Sequence, residues 1–190
     1  MTKERTLVLL KPDAVQRNLI GEIISRFERV GLKVVALKLA WPTKEQAHRH
    51  YVKNEAEIEA LGQRSIEGKK KAGMEANDDP KELGQFIVNG LIEFLTSAPV
   101  VALVLEGHQA IKITRKLIGS TEPLNSDVGT IRGDFTIESY IIADAQKRAV
   151  RNLVHASANE FDARYEIPVW FSDEELLDYE NPREAVLYKK

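Results

Sequence analysis

Four short apolar runs, set between longer stretches of helical pattern, constrain this chain more than any other feature. Leu7–Leu10 ends at Lys11-Pro12-Asp13, and Val34–Leu39 is closed by Trp41-Pro42. Pro99–Leu105 is the strongest of the four, and Ile167–Phe171 lies near the C-terminal end. Each has strand length and reads as a buried strand. Between them, Ile23, Ile24, Phe27 and Val30 mark one face of a helix over 21–31 that stops at Gly31. Thr43 is placed to cap a short helix reaching Tyr51. Leu83, Ile87, Leu91, Phe94 and Leu95 carry a helix from 81 onward, and 108–118 reads as another, ending at Gly119. Residues 119–134 hold three glycines and a proline and predict a long structured loop, of the kind that usually carries function. Ala143–Arg151 and 157–165 read as helices, and a short helix from Ser172 precedes a surface tail.

This order contains βαββαβ. It predicts an α+β, ferredoxin-like sandwich: a four-stranded antiparallel sheet with helices, here with a long loop and a C-terminal tail. Residues 53–80 stand apart. They are rich in Glu, Lys, Gly and Asp and read as an inserted excursion, not core, within one domain spanning 1–190. Hydrophobic residues make up 43% and charged ones 29%, which fits an ordinary soluble globular chain. The net charge of −2 gives no global basic excess for nucleic acid. Without cysteine there is no disulfide, thiol catalysis or Cys-ligated zinc. The apolar run after the charged start is too short for a signal peptide or membrane span, so a cytoplasmic protein with no membrane partner is expected.

Candidate chemistry centres on Asn152-Leu-Val-His-Ala-Ser157. Ser157 and Glu160 have capping-box spacing, which would put His155 just outside a helix N-terminus. Free backbone N–H groups and the helix dipole favour phosphate there, and a neutral imidazole can accept a phosphoryl group. Glu166 follows across that helix and can orient the ring if the chain folds back. A lone histidine is more often structural, so the case rests on its company. Lys11, at a strand end before a proline, can hold a fixed charge near phosphate. Arg115, Thr121 and Arg132 bracket the long loop, and two arginines with a hydroxyl suit polyphosphate. Other signals fail. The Gly62–Lys70 stretch departs from the phosphate-loop spacing, and His48 and His50, two apart on a helix, do not share a face. Lys69–Lys71 reads as a solvated basic turn.

These residues lie in segments that resemble the nucleoside diphosphate kinase family, in the family's order. The segments are Thr6–Asp13, Gly21–Glu28, Ala47–Tyr51, Ser97–Ala102 with Glu106-Gly107, Gly119–Thr121, Gly129–Phe135, Arg151–Ser157, and Glu166–Phe171 with Glu174–Tyr179. The resemblance implies ping-pong transfer of a γ-phosphoryl group from ATP or another nucleoside triphosphate, through His155, to a nucleoside diphosphate. It implies that Lys11 and Tyr51 hold the phosphoryl group in transfer, that Arg115, Thr121 and Arg132 hold nucleotide phosphates, and that Asn152 contacts the sugar. Ser157 and Glu166 would position the imidazole. Mg²⁺ would bridge nucleotide phosphates, with no protein metal ligand, and the chain would be a homo-oligomer, a hexamer ahead of a tetramer. The family's base-stacking aromatic falls at Ile87, with Phe86 adjacent, and Ala158 replaces a family carboxylate. Insertions over about 53–80 and 141–148 flank the implied cleft. Two other readings compete. A catalytically silent nucleotide-binding module would tolerate loss of His155, Lys11 or Arg132, yet all are present. A ferredoxin-like RNA-binding domain would carry exposed aromatics on strands that are aliphatic here.

Overall fold

A computed structural model describes residues 3–71 and 75–188. Strands β1 (Glu4–Leu10), β2 (Lys33–Ala40), β3 (Val100–Gly107) and β4 (Val154–Ala156) form one sheet in the order β2-β3-β1-β4. Every pairing is antiparallel, with Leu9 opposite Ala102 on one side and His155 on the other. This is the ferredoxin-like α+β architecture. The helices are α1 (Pro12–Gln16), α2 (Ile20–Arg29), α3 (Lys44–Tyr51), α4 (Glu55–Lys71), α5 (Pro80–Thr96), α6 (Ala110–Ile118), α7 (Ile131–Phe135), α8 (Tyr140–Ala145), α9 (Glu160–Trp170) and α10 (Pro182–Tyr188).

Alternation along the strands divides the core in two. Leu7, Leu9, Val100, Ala102 and Val104 pack with Ala47, Leu95, Ala163, Ile167 and Trp170 of α3, α5 and α9. Val8, Leu10, Val101, Leu103 and Leu105 pack with Ile23, Phe27, Ile118 and Ile131 of α2, α6 and α7. Because both faces are covered, β3 is buried along its whole length, which explains its continuous apolar run. Thr43 caps α3 as expected, its hydroxyl accepting the Gln46 N–H, and Gly31 and Gly119 take positive φ where α2 and α6 stop.

Three expectations are overturned. The fourth strand is Val154–Ala156, and of Ile167–Phe171 the first four residues instead complete α9, with Phe171 as its C-cap. Ala163, Glu166, Ile167 and Trp170 are buried at three- and four-residue intervals, a helical stripe that a short apolar run cannot reveal by itself. Pro168 is tolerated inside α9 on its exposed side. The excursion at 53–80 is largely the helix α4, packed on α5. The two helices meet at Gly62 and Gly84. A Cβ on Gly62 would lie 1.7 Å from the Pro80 carbonyl oxygen, and one on Gly84 would lie 1.9 Å from that of Ile58. Charge-rich composition hides this contact because it is made by backbone. Finally, α8 ends at Ala145, and Lys147, with φ of 49°, breaks the helix expected to reach Arg151.

The tail is strapped to the sheet. Leu177 N–H and the Tyr179 hydroxyl donate to the Val35 and Val34 carbonyls, while buried Lys33 pairs with Glu106 at 3.1 Å. Beyond this strap the edge strand β2 exposes Leu37 and Leu39, followed by Trp41. Among the described residues no helix is long and apolar enough to cross a membrane.

Candidate active site

Where β1 ends, Lys11 turns inward. Its backbone N–H donates to the Leu153 carbonyl at 2.8 Å, and its buried Nζ donates to Asn152 Oδ1 at 2.8 Å. Asn152 also donates through Nδ2 to the Thr121 carbonyl at 2.7 Å. The Val154 N–H reaches back to the Asn152 carbonyl at 2.7 Å, and Leu153 between them has φ of 65°. This is a γ-turn of the strained, positive-φ kind, directly ahead of the histidine strand. Arg132 locks it. Its guanidinium donates to the carbonyls of Asn152 and Val154 on one side and of Gly119 and Ser120 on the other, at 2.5–3.0 Å. Four of its five N–H donors are thereby engaged, leaving one for a ligand. Burial, then the neighbouring Arg115, lower its pKa to about 10, still charged at neutral pH.

His155 stands on β4 with its side chain 22% exposed, and its Nε2 lies 3.0 Å from Glu166 Oε2. The same oxygen accepts the Ser157 hydroxyl at 2.7 Å. Burial alone would raise the Glu166 pKa, but the charge and hydrogen bond of His155, with His50 and Ser157, outweigh it and bring it to about 2. Glu166 is therefore an acceptor at neutral pH, so the proton of a neutral His155 belongs on Nε2 and the lone pair on Nδ1. Ser157 does not cap α9: Asn159 does, its Oδ1 accepting the Asp162 N–H at 2.9 Å. Ser157 is consumed instead by Glu166 and by the Leu7 N–H, so the helix-terminus site expected for His155 is replaced by a strand position.

Behind the ring, His50 packs edge-on at 4.4 Å between centroids, and Trp170 Nε1 donates to His50 Nδ1 at 3.4 Å. Burial, then the charge of His155, hold His50 well below the ordinary histidine value, hence neutral. The buried Tyr51 hydroxyl has no hydrogen-bond partner among the described residues, and burial raises its pKa. Spacing set His50 aside as a metal ligand with His48. Its real place was legible in the three-residue interval from Ala47, the other buried residue of α3. Asp13 was passed over as part of a turn, and it proves to be buried beside this cluster.

Lys11, Asn152, Arg132, Ser157 and Glu166 thus converge around the γ-turn and His155. Arg115 and Thr121 are exposed at its rim. Ile87 is half-buried on α5 beside the 57%-exposed Phe86, one turn from Gly90, which faces Ala149 after α8. Among the described residues the one group able to chelate a metal is His50, His155 and Glu166. Two imidazoles make it a poor site for Mg²⁺, which prefers oxygen.

The family model described as nucleoside diphosphate kinase matches residues 4–60 and 80–176, most of the chain. The chain belongs to the nucleoside diphosphate kinase family. The stretch omitted from that match, 61–79, holds most of α4. A nucleoside diphosphate kinase of Pyrobaculum aerophilum is 44% identical over 94% of this chain and the whole of the relative. The crystal structure of an NDP kinase from that organism superposes with a TM-score of 0.87 at 43% identity, covering 93% of this chain and all of that one. A transition-state mimic of the Borrelia burgdorferi kinase, with bound vanadate and ADP, gives 0.81 at 38% identity, covering 97% and 96%.

Proposed function

We infer that the protein moves the γ-phosphoryl group of a nucleoside triphosphate, ATP among them, to a nucleoside diphosphate through a phosphohistidine on His155. The observation that carries this reading is the Glu166–His155 contact, which leaves Nδ1 as the nucleophile. Its lone pair forms the N–P bond while the bond from the γ-phosphorus to the bridging oxygen breaks and the diphosphate leaves. The ring keeps its Nε2 proton and becomes cationic, and the Glu166 carboxylate balances that charge. A second diphosphate then attacks phosphorus and releases the neutral ring. The proton never leaves the Nε2–Glu166 pair.

Phosphoryl transfer needs placement and charge neutralisation above all. Lys11 and the Tyr51 hydroxyl, which has no partner among the described residues, are suited to hold the transferring group, and Arg115, Thr121 and the remaining Arg132 donor the other phosphates. Asn152, already bonded to Lys11 and Thr121, would present its amide to the sugar. Ile87 or Phe86 on α5 would pack on the base. Mg²⁺ would be carried by the nucleotide and would neutralise phosphate charge; among the described residues the His50, His155 and Glu166 cluster suits it poorly. The exposed apolar edge of β2 supports self-association, consistent with a hexamer built from dimers.

The test is intact-protein mass spectrometry at neutral to alkaline pH after mixing with ATP and Mg²⁺. One phosphoryl group should appear, vanish on adding a nucleoside diphosphate, and fail to form in His155→Ala. Folded protein that binds nucleotide but takes up no phosphoryl group would leave only the binding-module reading.

A further inference from the structure

Asp13 is a buried carboxylate that the transfer just described does not use. It is 8% exposed. Its Oδ2 accepts the Leu153 N–H at 3.0 Å and its Oδ1 the Ala14 N–H at 3.1 Å. Leu153 is the residue with positive φ at the centre of the γ-turn, a conformation that persists only where its surroundings over-determine it. Lys11 N–H binds the Leu153 carbonyl, and Arg132 binds the carbonyls on either side. Asp13 holds the N–H of the strained residue itself. It is also a carboxylate whose charge favours the protonated form of both cations of this corner, Lys11 and Arg132.

We propose that Asp13 is a positioning residue for phosphoryl transfer: it holds the Asn152–Val154 turn in the form that presents His155, and it balances Lys11 against Arg132. This rests on the phosphohistidine reading above. Burial, then Arg132, bring the Lys11 pKa down to about 8, and Asp13 opposes them. Other titratable groups face this corner from three elements: Arg115 of α6 and Tyr140 of α8 act on Arg132, and His50 and Tyr51 come from α3. His50 feels Lys11, and Tyr51 feels Asp13. These two and Tyr140 are neutral near pH 8, His50 because its pKa is depressed and the tyrosines because burial raises theirs. Removing the Asp13 charge therefore lets Lys11 lose its proton at lower pH, and a neutral lysine cannot neutralise a phosphoryl oxygen.

The experiment measures the rate of His155 phosphorylation by MgATP, by rapid quench, across the alkaline range. Asp13→Asn keeps the shape but removes the charge and one of the two acceptors. Asp13→Glu keeps the charge and displaces the oxygens. Both variants should slow phosphorylation at saturating ATP by about 10–100-fold with little change in KM, since misplacement of about 1 Å costs that much. The alkaline limb should move to lower pH in Asp13→Asn and stay in place in Asp13→Glu. A folded Asp13→Asn with the native rate, or with an unmoved limb, overturns the proposal. Should Asp13→Asn not fold, Asp13→Glu decides: slowing without a limb shift supports it, and the native rate overturns it. The native protein is the internal control, since its own phosphorylation tests the phosphotransfer reading separately.

Discussion

Replacing Gly62 with alanine should destabilise the protein, whereas the same change at Gly68 in the same helix should not. Both are Gly→Ala changes in α4, so each gains about 1 kcal/mol of helix propensity. They differ in what the new methyl meets. At Gly68 there is nothing within 4 Å. At Gly62 the methyl would overlap the Pro80 carbonyl oxygen at 1.7 Å, with Pro80 C at 2.7 Å and Gly84 N at 2.9 Å. These are backbone atoms at the start of α5, so no side chain can swing aside and the helices must part by more than an ångström. Overpacking of this kind costs about 1–3 kcal/mol, and a backbone clash belongs at the upper end. Set against Gly68→Ala, the gap is then about 3 kcal/mol, or about 6–12 °C in unfolding midpoint for a chain of this size. Thermal unfolding at matched protein concentration measures it, with Gly84→Ala expected to behave like Gly62→Ala. Equal midpoints for Gly62→Ala and Gly68→Ala would refute the argument that α4 and α5 meet backbone to backbone.

Two further outcomes follow from the site and the sheet edge. Glu166 has a folded pKa of about 2 against an ordinary 4.5, so its stabilisation is present above about 4.5 and is lost as pH falls towards 2. Urea unfolding from pH 5 downward should show that loss in the native protein, and Glu166→Gln should flatten it; an unchanged slope in the variant would assign the acid sensitivity elsewhere. Leu39→Glu places a charge on the exposed apolar edge of β2 and should yield a smaller species by light scattering, with an unaltered mass arguing that this edge takes no part in assembly.

The fold was legible where periodicity and chain punctuation agreed. Thr43, Gly31 and Gly119 mark their helix ends, and β3 announces itself because both its faces are covered. Ile167–Phe171 misled because five apolar residues fit a strand or the end of a helix, and the deciding stripe includes Glu166, which no hydrophobic pattern counts. Strand β4 was hidden by its three-residue length, and α4 by a contact made through glycine backbone. At the site, the residue types and their convergence were readable in order along the chain. The division of labour was not: Ser157 looked like a cap because its spacing to Glu160 is right, yet its hydroxyl belongs to Glu166. Which imidazole nitrogen is free depends on that one side-chain contact, and no letter of the sequence encodes it.

The His155 ring is carried by a strand, not by a loop. Its backbone is tied to Val8, Leu9 and Leu10 of β1, its entry is clamped by Arg132 and its exit by the Ser157 N–H on the Leu7 carbonyl. On the phosphohistidine reading, donor and acceptor nucleotides would therefore meet the same strand-borne atom. An exchanger built this way uses one nucleophile for both halves of its cycle. Its direction is set by the concentrations of the nucleotides it serves.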